Sequence, residues 1–255
     1  MKILFTVCGR AGSKGIKNKN CRNFLGKPLA YYTLSAISLY TKENPSLEYD
    51  VVLNTDSEKL IELVDQQKMV KVDIVHRKPE LAGDSTPKVA VILDCLNEME
   101  KRKKTAYDMV VDLDITSPLR TVEDIKNLIQ RKQNAKCDVV FSVTEARRNP
   151  YFNMVKKTDN GYERVIPSNF NARQEAPEIF DMNASLYAYD PQFLKAQKSI
   201  FDGKCEVIKM MDTGVLDLDH ENDFVLMEVI GKYLVGTNYN FRIIQENILG
   251  YEEKE

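Results

Sequence analysis

Followed for its apolar and polar positions, the chain opens on a short apolar run, Ile3, Leu4, Phe5 and Val7, rich in branched and aromatic side chains. A run of that length, closed by a glycine cluster, predicts a buried strand. The period then changes. Leu29, Tyr32, Ala36 and Ile37 recur at helical spacing and predict a helix from near Pro28 to about Thr41. Residues 50–53 predict a second strand, and Ser57 an N-cap for a helix striped by Leu60, Ile61, Leu63 and Val64. Val72, Ile74 and Val75 predict a third strand, and Val89, Ile92, Leu93, Leu96 and Met99 a helix. Met109 to Val111, then Val122, Ile125, Leu128 and Ile129, then Val139 to Phe141 predict strand, helix and strand.

Strands and helices thus alternate with short connections through residue 143, which predicts an α/β fold with a mainly parallel sheet and helices on both faces. Ligands of such sheets bind beyond the carboxyl ends of the strands. The loop after the first strand, Asp56, residues 76–87 and residues 112–120 all fall at those ends. The alternation breaks at about Glu145. Residues 150–155 and 162–166 predict two strands joined at Asp159-Asn160-Gly161, a strong hairpin signal. Strands over 182–189, 205–208 and 216–219 follow, with a short helix opened by Pro191. Phe224, Met227, Ile230 and Leu234 predict a closing helix, and residues 241–249 a last turn or two. Without an internal repeat, low-complexity tract or linker, residues 1–255 read as a single domain.

Charge narrows the function classes. With 36 Lys and Arg against 38 Asp and Glu, the net charge is −2, and no global field draws in nucleic acid. The cations are instead concentrated locally: Arg10, Lys14, Lys17 and Lys19 are interleaved with Gly9, Gly12 and Gly15. Glycines let a backbone turn back and present successive N–H groups to an anion, so this loop predicts a polyanionic ligand such as a nucleotide. Its spacing fits neither a Walker A loop nor a dinucleotide fingerprint. Five scattered cysteines with no Cys-x-x-Cys argue against a zinc site or a disulfide framework and favour a reducing cytoplasm. No signal peptide is visible, and no apolar stretch approaches the ~20 residues of a membrane span. Two histidines, His76 and His220, stand far from any nucleophile elbow, so a hydrolytic triad is not supported.

Asp217 and Asp219 close an apolar run, and strand alternation would put both on one face. Two such carboxylates repel each other unless a cation or proton separates them, and Mg2+, which takes oxygen ligands and substrate phosphates, is the natural occupant.

Five ordered stretches also resemble motifs of acylneuraminate cytidylyltransferases, enzymes that make CMP-linked sialic acids and their relatives. The first is Arg10, Ser13, Lys14, Gly15, Lys19 and Asn20, closed by Gly26-Lys27-Pro28-Leu29. The second is Arg77 through Leu81-Ala82-Gly83-Asp84-Ser85, and the third Thr116-Ser117-Pro118-Leu119-Arg120, with Asp114-Ile115 where the family usually has Gln-Pro. The fourth is Arg173-Gln174 with Asn183-Ala184-Ser185, in which Ala184 and Ser185 replace Gly-Ala; the fifth is Asp217 and Asp219. The resemblance implies a Rossmann-like nucleotidyltransferase fold with residues 145–177 as a dimerisation insertion, and a homodimer. It implies transfer of CMP from CTP to a sialic-acid-like 2-keto sugar acid. Arg10, Ser13, Lys14, Gly15, Lys19, Asn20 and Arg77 would hold CTP, with Arg10 and Lys19 acting with the metal-bound Asp217 and Asp219. Asp84 and Ser85 would shape the nucleotide pocket or cap the next helix. Asp114, Ser117, Arg173, Gln174 and Asn183 would meet the sugar, Arg173 through its carboxylate. Asp114 would hold a sugar hydroxyl or a metal-bound water, and Arg120 is compatible with a plain surface position. The acceptor stays open among sialic, pseudaminic, legionaminic and 3-deoxy-octulosonic acids, although the octulosonate Gln-x-Asp-Glu-Pro element is missing. A glycosyltransferase is the rival class.

Overall fold

Ile3, Phe5 and Val7 point to one side of the first strand and Leu4 to the other, and both sides are buried. That two-sided burial is why the strand is a continuous apolar run and not an alternating one. The computed structural model describes residues 1–12, 15–213, 218 and 220–252. In chain order come β1 (Lys2–Cys8), the ribbon β2 (Asn23–Phe24) and β3 (Lys27–Pro28), α1 (Leu29–Glu43), β4 (Glu48–Thr55), α2 (Glu58–Gln66) and β5 (Asp73–His76). Then follow α3 (Lys88–Lys103), β6 (Met109–Leu113), α4 (Val122–Asn134), β7 (Val139–Glu145) and the hairpin β8 (Val155–Thr158) and β9 (Gly161–Arg164). The chain ends through β10 (Phe180–Tyr189), α5 (Pro191–Lys195), β11 (Cys205–Lys209), α6 (Glu221–Thr237) and α7 (Tyr239–Glu252).

Seven strands form one sheet in the order β11-β7-β10-β6-β1-β4-β5. Neighbours run parallel except β10, which lies antiparallel between β6 and β7. One face carries the apolar stripes of α1, α2, α4, α6 and α7; the other is covered by α3 and α5. Caps fix several helix starts. Ser57 accepts from Leu60 N, Thr121 and Asp124 form a capping box, and Asp190 caps α5.

The structure alters two local expectations. Residues 150–153 are a turn, not a strand, because the buried Asn149 gathers it: its carbonyl accepts from Phe152, Asn153 and Met154, and its Oδ1 from Tyr151 N. The paired residues are therefore 155–158 and 161–164, and Gly161 takes the positive φ of 116° that closes the turn. Residues 241–249 belong to a full 14-residue helix, α7, which buries Phe241, Ile244 and Ile248 and ties Ile244 O to Ser35 Oγ. The strand expected over 216–219 falls almost wholly outside the described residues.

Candidate active site

The carboxyl end of β1 delivers Gly9 into a tight place: a Cβ there would come within 2.7 Å of Leu60 Cδ2 and 2.9 Å of Ile115 Cδ1. The next residues are held from three directions. Arg10 pairs with Asp84, which brings the first and second motifs together. Ala11 N donates to Asp56 Oδ1 at 2.7 Å, and Asn20 Nδ2 donates to Arg10 O at 3.1 Å. Lys19 Nζ reaches Leu218 O at 2.7 Å, tying the loop to the residue between Asp217 and Asp219. Ser13, Lys14, Asp217 and Asp219 lie outside the described residues, and Gly15 is exposed on the loop.

Arg77, one residue past β5, does not project freely. Its Nε donates to Asn54 Oδ1 at 2.8 Å and its Nη2 to Asn54 O at 3.2 Å, so it is laid along the end of β4. Ser85 is exposed, and neither Asp84 nor Ser85 caps α3, whose N-cap position is Pro87. The capping alternative for these two residues is thereby set aside: Asp84 faces Arg10.

Behind this rim a charged group crosses from β1 to β6 and α3. Thr6 Oγ1 donates to Asp112 Oδ1 at 2.7 Å, and Lys88 Nζ lies 2.7 Å from both Asp112 Oδ2 and Asp114 Oδ2. Asp114 Oδ1 also accepts from Thr116 N at 2.8 Å and Thr116 Oγ1 at 2.7 Å. Burial alone would push the Asp114 carboxyl up, but Lys88 and Thr116 outweigh it and hold the carboxyl well below the usual range. Burial would likewise push the Lys88 ammonium down; Asp112 and Asp114 instead hold it well above the ordinary lysine value. Asp114 is thus a permanent acceptor at neutral pH, not a proton carrier.

The surface position allowed for Arg120 is corrected. Its side chain is 1% exposed and clamps the loop it ends, donating to Asp114 O, to Ser117 O at 2.6 Å, and at 3.3 Å to Thr33 Oγ1 and Ser185 Oγ. Burial pushes its guanidinium down to about 10, so it stays charged at neutral pH.

A cavity opens beside this loop, lined by Asp114, Ser117, Asn183 and Thr144, with Met210, Met227 and Ile230 on its apolar side. Asn183 owes its place to a bulge: the register of β10 on β7 shifts between Met182 and Tyr187, with Ala184 at a φ of 51°. Ser142 Oγ locks the bulge, donating to Asn183 Oδ1 at 2.5 Å and accepting from Leu186 N at 2.9 Å. Arg173 and Gln174 do not join this cavity. They line a second one beyond the end of β7, with Glu145, Arg148 and Asn149, where Arg173 donates to Ala146 O.

The sequence model of the cytidylyltransferase family matches residues 4–228. The chain belongs to the cytidylyltransferase family. A CMP-N,N'-diacetyllegionaminic acid synthase from Campylobacter jejuni is 34% identical over 229 residues, 90% of this chain and 94% of that one. A post-translational flagellin modification protein B from Campylobacter coli is 33% identical over 231 residues, 91% of this chain and 95% of that one. A solved CMP:2-keto-3-deoxy-manno-octonic acid synthetase complexed with CTP superimposes with a TM-score of 0.64 at 15% identity, covering 91% of this chain and 99% of that chain. The motif resemblance and the nucleotidyltransferase fold expected from it agree with these findings.

For this cytidylyltransferase, sequence reasoning passed over Lys88, Asp112 and Thr144, and allowed Arg120 only a surface position. Asp112 carried a visible signal, an acid inside the apolar run Met109 to Leu113. Lys88 carried a fainter one: it is the first residue of α3, where the helix dipole disfavours a cation.

Proposed function

We propose that the chain transfers CMP from CTP to the anomeric hydroxyl of a sialic-acid-like 2-keto sugar acid and releases pyrophosphate. The observation that carries this reading is the Lys19 Nζ–Leu218 O contact of 2.7 Å, which joins the cationic loop to the residue between the two candidate metal ligands across 199 positions of sequence. A triphosphate lying on that loop would have Arg10, Lys19 and Arg77 around it. The cavity of Asp114, Ser117 and Asn183 would then hold the acceptor alongside.

Asp217 and Asp219 are the proposed Mg2+ ligands. Among the described residues no group of three or more His, Cys, Asp or Glu side chains is arranged to hold a metal. What supports the assignment is Leu218, the residue between the two aspartates, whose side chain is buried and whose carbonyl accepts from Lys19. Bound there, the ion would offset charge on the α-phosphate and the departing pyrophosphate. The chain's own groups position the reactants and stabilise charge, the main contributions to such a transfer. Asp114, fixed as a carboxylate, accepts a hydrogen bond from the sugar; it does not act as general base.

Legionaminic acid is the second acceptor to test, because Asp114 stands where the sialic acid enzymes usually carry glutamine and a legionaminic synthase is 34% identical. A homodimer through residues 145–177 belongs to the same proposal. Met154, Val155 and Tyr162 of the hairpin are 40%, 63% and 74% exposed, and a lone two-stranded hairpin is marginal in water. So does a cytoplasmic setting: among the described residues no helix is long and apolar enough to cross a membrane. Pyrophosphate release, measured with CTP, ATP, GTP and UTP against sialic, legionaminic, pseudaminic and 3-deoxy-octulosonic acids, tests the reading. Release with CTP and at least one of these acids is expected; none with any pair overturns it.

A further inference from the structure

We propose that Lys88 is a positioning residue for acceptor choice, fixing Asp114 so that its last open lone pair faces the cavity and takes a hydroxyl or amide N–H of the sugar acid. The inference rests on the reading of that cavity as the acceptor site.

A carboxylate offers about four acceptor positions. On Asp114, Oδ1 uses two on Thr116 and Oδ2 uses one on Lys88. One position on Oδ2 remains, and Asp114 lines the cavity while Lys88 does not. Lys88 comes from behind, 33% exposed, bridging Asp114 to the fully buried Asp112. Its location does nothing for α3: it opens the helix, where a cation opposes the dipole and no side chain caps the backbone. Its place is explained by the two carboxylates it joins.

Hydrogen bonding also sets an orientation. Lys88 and Arg120 balance the charges of Asp112 and Asp114, and the open position on Asp114 Oδ2 is an acceptor, so it admits a neutral donor and not the acceptor's own carboxylate, which has no proton to offer. Other charged or titratable groups face the bridge too. Cys8 comes from β1, Arg120 from the loop that follows Asp114, and Tyr187 and Tyr189 from β10. None of them replaces the Lys88 contact on Oδ2.

The test uses the full chain with CTP and its best sugar acid. Lys88→Met should raise the sugar KM roughly ten- to hundredfold, the worth of one hydrogen bond to a charged group, with the CTP KM within about twofold. Without Lys88, burial pushes the Asp114 carboxyl up. Sugar kcat/KM in the variant should then fall toward acid pH, a limb that starts at higher pH than any in the native enzyme. Lys88→Arg should restore most of the sugar KM and remove that limb. If Lys88→Met does not fold, Asp114→Asn reads the same contact, with the sugar KM rising and the CTP KM unchanged. Parallel shifts in both KM values, or an unchanged sugar KM, would overturn the proposal and leave Lys88 a structural counter-ion. A native protein that releases no pyrophosphate with any acid overturns the functional reading, and the proposal with it.

Discussion

Replacing Arg120 with methionine removes every donor while keeping the length and apolar bulk of the stem. Two backbone carbonyls, Asp114 O and Ser117 O, then face an apolar tip in a site that is 1% exposed. Ser117 O is left unpaired, which costs about 1–3 kcal/mol, and Asp114 O keeps only a long bond of 3.4 Å from Thr33 Oγ1. The bonds that Arg120 donates to Thr33 and Ser185 are 3.3 Å long and end on hydroxyls that can turn elsewhere, so they add little. Against this, methionine avoids the desolvation of a buried guanidinium, which is several kcal/mol. The lost attraction of the guanidinium for Asp112 and Asp114 offsets that relief, because taking one partner from a buried charge group costs about 3–5 kcal/mol. The balance is the carbonyl cost, about 2–4 kcal/mol, or a melting temperature lower by roughly 5–15 °C for a chain of this size. Calorimetry at neutral pH with a urea titration measures it. Because Asp114 and Ser117 line the cavity proposed for the acceptor, the sugar KM should also rise more than the CTP KM. A variant within about 1 kcal/mol of the native protein, or more stable than it, would refute the clamp.

Asp217→Ala and Asp219→Ala should each lower turnover by orders of magnitude with little change in melting temperature, and chelation should do the same; near-native activity in both variants removes the metal assignment. Arg173→Lys should weaken sugar binding more than CTP binding, because a planar fork is lost, and an equal loss or none would place the sugar carboxylate elsewhere. Ala184→Gly should raise the melting temperature by about 1–3 °C, since relief of about 1–2 kcal/mol of left-handed strain exceeds the added flexibility of the unfolded chain. A lower melting temperature would mean the bulge needs the methyl group. Light scattering should give twice the 29.3 kDa of one chain, and charged residues at Phe152 and Met154 should split the dimer; a mass of one chain rejects it.

The alternation up to residue 143 was legible because strands buried on both sides and amphipathic helices leave distinct periods. The antiparallel insertion of β10 was not, since alternation carries neither the direction of a strand nor the identity of its neighbours. Helix α7 was read short although Phe241, Ile244 and Ile248 keep helical spacing, because the residues between them are mostly polar. Of the site, the loop cations and the acids were visible as residue types, but not their partners. Nothing local to Arg120 signals that two carbonyls and two hydroxyls will converge on it. Nor does anything near Asn149 signal that one amide will turn residues 150–153. The separation of Arg173 from Asn183 into two cavities has the same origin, since it depends on how the chain returns from the hairpin to β10.

The place of β10 in the sheet bears on the order in which the molecule can assemble. Strands β1, β4, β5 and β6 and the helices between them are complete by residue 113, so the half of the sheet that carries the cationic loop can form while the rest is still being synthesised. β6 and β7 have no contact as sheet partners; each waits with an open edge for β10, which begins at Phe180 and must insert between them. Until then two unpaired edges are exposed, the condition under which chains pair wrongly with one another. The cavity proposed for the acceptor lies across that junction of β6, β10 and β7, so it cannot exist until β10 is in place, long after the loop that follows β1 has been made.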